Sequence, residues 1–91
     1  MNLYLLTQDL INGYDTYDSC VVAAVDEQEA RKTHPCPTVT PKIKKEWLEW
    51  PGTPDFEWQG WCHWTGVEVK LIGKAAKNVE AGVICASFNA G

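Results

Sequence analysis

The sequence predicts one α+β domain over residues 1–91, a small, mainly antiparallel sheet with one short helix packed on a face. Three observations carry that reading. Four apolar segments with strand character fall in two pairs, one near each end of the chain. A capped helical segment follows the first pair. Between the pairs lies a stretch holding every proline and every tryptophan, which reads as an irregular Trp/Pro-rich insertion over 35–66. The expected order is β-β-α-irregular-β-β, and strands grouped this way favour antiparallel pairing.

Taken in order, Leu3 to Thr7 is short and apolar and reads as a buried strand. Asp9 to Ser19 carries the Asn12-Gly13 turn signal and reads as a loop. Cys20 to Val25 is the second strand. Asp26 with Glu29 three residues on forms a capping-box pattern, so a helix is expected from Glu27 to about Thr33, ended by Pro35 and Pro37. Acidic residues in its first turn and Arg31 and Lys32 at its end complement the helix dipole. Lys42 to Trp50 has room for one or two helical turns with Ile43, Trp47 and Trp50 on one face. Trp58, Trp61 and Trp64 recur every third residue, a spacing that suits a helix or turn and fits a strand badly. Val67 to Ile72 and Val83 to Phe88 are the late strands.

Composition narrows the function classes. Hydrophobic residues are 45% and charged residues 22%, which is globular and argues against disorder. Eight basic against twelve acidic residues leave a formal charge of −4. Such a surface repels phosphate backbones and gains nothing from counterion release, so direct nucleic-acid binding is not expected. The same charge suits a basic protein partner. No apolar run approaches the ~20 residues that cross a bilayer. Met1 to Leu6 lacks the basic n-region of a signal peptide. The expected setting is cytoplasmic and off the membrane, with four reduced cysteines.

Catalytic chemistry finds little support. His34, Cys36, Cys62 and His63 are ligand types that zinc takes, yet adjacent Cys62 and His63 lack the usual two-to-four-residue ligand spacing. No base is placed beside a cysteine by spacing alone. Gly60, Gly66 and Gly73 form no phosphate loop. No enzyme activity, cofactor or metal is expected.

Binding residues stand out more clearly. Asp9, Asp15 and Asp18 alternate with Tyr14 and Tyr17 in the first loop, which supplies contact area and charge together. Five tryptophans in 91 residues is several-fold above ordinary usage. Two or three of them suffice for a small core, so the rest are expected to meet another molecule, flanked by Glu46, Glu49, Asp55 and Glu57. The expected contact set is Asp15, Tyr17 and Asp18 with Trp47, Glu49, Trp50, Glu57, Trp58 and Trp61.

Tyr14-Asp15-Thr16-Tyr17-Asp18-Ser19 into Val21-Val22-Ala23-Ala24, Glu29-Ala30-Arg31 with His34-Pro35, Val67 to Gly73, and Gly82-Val83-Ile84 through Ala86 to Gly91 form one set of segments. Together they resemble a group of small uncharacterised proteins encoded by bacteriophages and prophages. The likeness covers about two thirds of the chain and leaves out 37–64. It brings no assigned chemistry and no functional residues. It implies a phage setting, in which a small acidic protein of this kind would bind and block a host defence complex, such as a CRISPR effector. The alternatives are a phage accessory or structural protein that self-associates, as a homodimer for instance, through its sheet edge or its tryptophans, and a small Cys/His metal-binding protein.

Overall fold

Alternating apolar residues build the sheet. The structure, a computed structural model, describes residues 1–89; Ala90 and Gly91, which end the last phage-like segment, lie outside the described residues. In β1 (Asn2–Thr7) Tyr4 and Leu6 are buried on one face, while Leu3, Leu5 and Thr7 alternate onto the other and are half-buried. β2 (Thr16–Ala24) runs antiparallel beside it, with Tyr4 opposite Val22 and Leu6 opposite Cys20. β3 (Glu68–Lys74) joins the free side of β1, and β4 (Gly82–Asn89) the free side of β2. The order is β3-β1-β2-β4, and every neighbouring pair is antiparallel. The α+β class expected from the sequence is the observed one.

β2 starts at Thr16 rather than at Cys20, because Tyr17 pairs with Phe88 of β4 and the intervening Asp18 is absorbed as a bulge. A polar residue inside a strand pattern is tolerated there because the bulge leaves it exposed. β3 and β4 lie on opposite edges, so residues 75–81 cross the end of the two central strands, tied by the Ala75 amide to the Met1 carbonyl at 3.0 Å.

α1 (Glu27–Arg31) starts at Asp26, whose Oδ1 accepts from the Glu29 amide at 2.9 Å. It stops short of Thr33, whose hydroxyl donates to the Glu29 carbonyl at 2.9 Å instead of extending the ladder. Ala30 is sealed in the core, and the Arg31 guanidinium donates to the Val67 carbonyl, tying the helix to the entry of β3.

The insertion is more regular than its prolines suggest. α2 (Pro41–Leu48) fills its middle: the Thr40 hydroxyl accepts from the Ile43 amide at 3.2 Å and Pro41 occupies the first turn. Threonine before proline is a helix start, since proline's fixed φ and missing N–H suit that position. Trp58 and Trp61 close a two-residue turn over Gln59 and Gly60 (φ 49° and 81°), with backbone bonds of 2.8 and 3.2 Å. A 3₁₀ turn at Trp64–Gly66 then leads into β3.

This layer closes the core. Trp47, Trp61, Cys62 and Val67 pack with Ile11 and Ala30 against Tyr4, Leu6, Cys20, Val22 and Ala24. Trp47 and Trp61 are both 0% exposed, and Trp50, Trp58 and Trp64 are half-buried. The expectation that Trp47 and Trp61 lie at the surface is therefore corrected; the other three rings keep part of their surface. The insertion is itself the second layer, so the rings fill space that they create. Three indoles also bond backbone within the insertion: Trp47 Nε1 donates to the Cys62 carbonyl (2.9 Å), Trp50 to Thr53 (3.0 Å) and Trp64 to Leu48 (3.0 Å). Among the described residues, no helix is long and apolar enough to cross a membrane.

Truncating a fully buried tryptophan costs about 3–5 kcal/mol. That is a large share of the roughly 5–14 kcal/mol expected for 91 residues. Trp47→Ala should therefore lower the thermal midpoint by roughly 15 °C or more, whereas Glu57→Ala should shift it little; calorimetry on both variants checks this.

Candidate interaction surface

The residues from Asp9 to Asp18 form a braced projection. Gln8, at the end of β1, is buried, and its side chain makes three bonds across the base of the loop. Its Nε2 donates to the carbonyls of Ile11 (2.9 Å) and Tyr17 (2.7 Å), and its Oε1 accepts from the Ile11 amide (2.8 Å). Ile11 is buried below. Further out, Asn12 Nδ2 donates to the Asp9 carbonyl (2.7 Å) and the Thr16 hydroxyl to the Gly13 carbonyl (2.8 Å). Asn89 of β4 holds the far side: its carbonyl accepts from the Asp15 amide and its Nδ2 donates to the Gly13 carbonyl. Asp15 adopts φ 60°, a left-handed conformation that aspartate tolerates better than most residues. The outcome is a fixed loop with Tyr14 76% exposed and Asp9, Asp15 and Asp18 at the surface.

The tryptophan turn docks against this loop. The Tyr17 amide donates to the Gly60 carbonyl at 2.7 Å. A Cβ on Gly60 would lie 2.7 Å from the Asp15 carbonyl oxygen, so close approach as well as positive φ requires glycine here. Beyond the turn, Trp50, Phe56 and Trp58 form a three-ring cluster with centroids 4.9 to 5.4 Å apart. Phe56 is its exposed member, and Glu49, Asp55 and Glu57 around it face solvent. The loop and the cluster thus adjoin through Gln59 and Gly60. Together they present aromatic edges among carboxylates.

The expected contact residues divide accordingly. Asp15, Asp18, Glu49 and Glu57 are exposed. Tyr17 is half-buried, its ring tilted against that of Phe88 with centroids 4.7 Å apart, and Trp50 and Trp58 are half-buried within the cluster. Trp47 and Trp61 offer no surface and leave the contact set, because their rings fill the core. Reading the sequence missed Gln8 as the brace, and Phe56 and Phe88 as exposed aromatics. The missed signal at Phe88 was that no charged residue occurs from Gly82 to Asn89.

The histidines and cysteines are structural neighbours rather than one constellation. His34 is buried: Nδ1 accepts from the Cys36 amide (3.0 Å), and Nε2 donates to the Trp58 carbonyl (2.6 Å). That pattern fixes a neutral imidazole. Burial lowers its pKa, the Trp58 carbonyl opposes the shift, and Lys44 adds to it. Burial also lowers His63, whose Nδ1 meets the Thr65 hydroxyl at 2.8 Å. The nearby Trp47 and Leu48 carbonyls resist that shift without giving Nε2 a hydrogen-bond partner among the described residues.

Burial pushes the Cys20 and Cys62 thiols up to about 12. At Cys36 partial burial also raises the thiol, but hydrogen bonds from Thr38, Tyr17 and Val39 outweigh it and leave the pKa below its ordinary value. Among the described residues, no group of three or more His, Cys, Asp or Glu is arranged to hold a metal ion.

No family model, curated protein or solved structure matches this chain.

The buried imidazoles give a signed pH dependence. Their folded pKa values lie below the unfolded value near 6.5, so the unfolded chain takes up protons first. Their contribution is complete above about pH 6.5 and is lost as pH falls below it, until the folded rings protonate. Urea midpoints should fall from pH 7.5 to pH 5, and His34→Gln should flatten the slope; an unchanged slope in that variant would contradict the assignment.

Proposed function

We propose that this chain is a non-enzymatic protein–protein interaction module that applies its acidic, aromatic loop and the adjoining ring cluster to a basic surface of a partner protein. The observation that carries this reading is the braced loop itself. Tyr14 stands 76% exposed between carboxylates, on a backbone held by Gln8, Asn89 and Gly60. A rigid tyrosine loses little conformational entropy on contact, and tyrosine is among the residues enriched at binding hot spots. Charge around it steers a basic partner and rejects an acidic one.

The likeness to small phage and prophage proteins supplies the setting. There the module acts in the host cytoplasm as an inhibitor that covers a functional surface of a defence complex of the CRISPR type. Such complexes carry basic grooves for nucleic acid, and an acidic, aromatic projection fits a groove of that kind.

The test is interference in living cells. Expressing the chain in bacteria with an active RNA-guided defence should restore plasmid or phage survival. Tyr14→Ala combined with Asp18→Lys should abolish that protection, with the thermal midpoint within a few degrees of the parent, since both residues are exposed. Unimpaired interference across a panel of CRISPR effector types would overturn the proposal.

A further inference from the structure

The two edges of the sheet are not equivalent. β3 carries Glu68, Lys70 and Lys74, the kind of charge that keeps an edge from pairing with another strand. β4 carries none. Its sequence is Gly-Val-Ile-Cys-Ala-Ser-Phe-Asn, it lies at the outer edge, and every residue after Gly82 is exposed. Val83, Ile84 and Phe88 are 40%, 50% and 46% exposed. α1 packs against β1, β2 and β3, leaving β4 overhanging the layered part of the molecule. An apolar, uncharged edge of eight residues is a template for strand addition.

We infer that the occupant of this edge is a second copy of the same chain, paired β4 to β4 in antiparallel fashion about a two-fold axis perpendicular to the sheet. Charge selects it. The molecule is net negative, so two copies repel over most of their surfaces. At β4 they meet without like charges opposite one another. A basic partner drawn by the acidic loop gains nothing from this neutral edge, whereas the chain itself supplies a matching neutral strand. A closed two-fold pair also makes the contact self-limiting, because each β4 is consumed by the other. The sheet becomes eight-stranded, and its new ends are the charged β3 edges.

Two features limit affinity. One strand pair buries less than the ~1,200–2,000 Å² of a typical stable interface. A bulge at Ile84, between the Val83 and Cys85 pairings, distorts the strand near one end. The dimer is therefore weak, with Kd between about 10 µM and 1 mM. Asn89 of one copy lies towards Gly82 of the other, so the two acidic loops sit at opposite ends of the seam, on the order of 25 Å apart. The dimer stands whether or not those loops bind a partner.

Sedimentation equilibrium of the full chain from about 10 µM to 1 mM tests it. The mean mass should rise towards twice 10.2 kDa, and added salt should favour the dimer by screening the repulsion between the net-negative copies. Ile84→Lys, or Ser87→Lys as a second variant, should weaken the dimer at least tenfold. Both sites are exposed, so the fold should survive, as circular dichroism checks. Ile72→Lys on the opposite edge should leave the dimer intact. A monomer at every concentration overturns the inference. So does a dimer that both β4 variants leave unchanged, or one lost with Phe56→Ala.

Discussion

Burial of Trp47 is the contact on which the rest of this fold depends. Its ring lies wholly inside, and its Nε1 reaches across the insertion to the Cys62 carbonyl. That single residue joins α2 to the segment that re-enters the sheet. Trp61 and Cys62 pack beside it, and His34 and His63 meet its ring edge-on. A four-stranded sheet with only a five-residue helix above it would leave Tyr4, Leu6, Cys20 and Val22 uncovered. The Trp-rich stretch covers them. The arrangement has a cost: the Nε1 atoms of Trp58 and Trp61 and His63 Nε2 are buried with no partner among the described residues. Each such loss is of order 1–3 kcal/mol, offset by the large apolar area of the rings.

Filling the core with the insertion decides what remains outside. The most exposed aromatic residues are Tyr14, Phe56 and Phe88, each beside a hydrogen-bonded turn or a strand end. Two surfaces of different chemistry result. One is charged and projecting, built by Gln8 and Asn89 around the first loop. The other is neutral and flat, the free edge of β4. The proposed partner, chosen by charge, and the inferred second copy, chosen by backbone pairing, would therefore use different surfaces.

The strands were legible because their apolar residues alternate or run together, and α1 because Asp26 and Glu29 mark its start. Boundaries moved where a side chain competed with the regular pattern, as Asp18 does in the β2 bulge and Thr33 at the end of α1. Counting rings against the volume of a small core could not say that Trp47 and Trp61 are the two that are sealed. Counting omits that a connecting segment can create its own interior, which requires tertiary contacts between residues far apart in sequence, such as Trp47 with Cys62. In the same stretch the helical turns expected over Lys42 to Trp50 are α2, with Thr40-Pro41 as its start and Trp50 beyond its end. The acidic loop could be read from Asp15, Tyr17 and Asp18. Its rigidity could not, since it rests on Gln8, which sits at a strand end between the equally polar Thr7 and Asp9 and carries no signal of its own.

Exchange of the indole Nε1 protons, followed by NMR in deuterated solvent, tests most directly whether the insertion is the core layer. The Trp47 proton is buried and bonded to a backbone carbonyl, so it should exchange only through global unfolding, as slowly as the slowest amides of β1 and β2. Exchange of that proton within minutes, while those amides stay protected, would show the insertion opening independently of the sheet and would contradict this account.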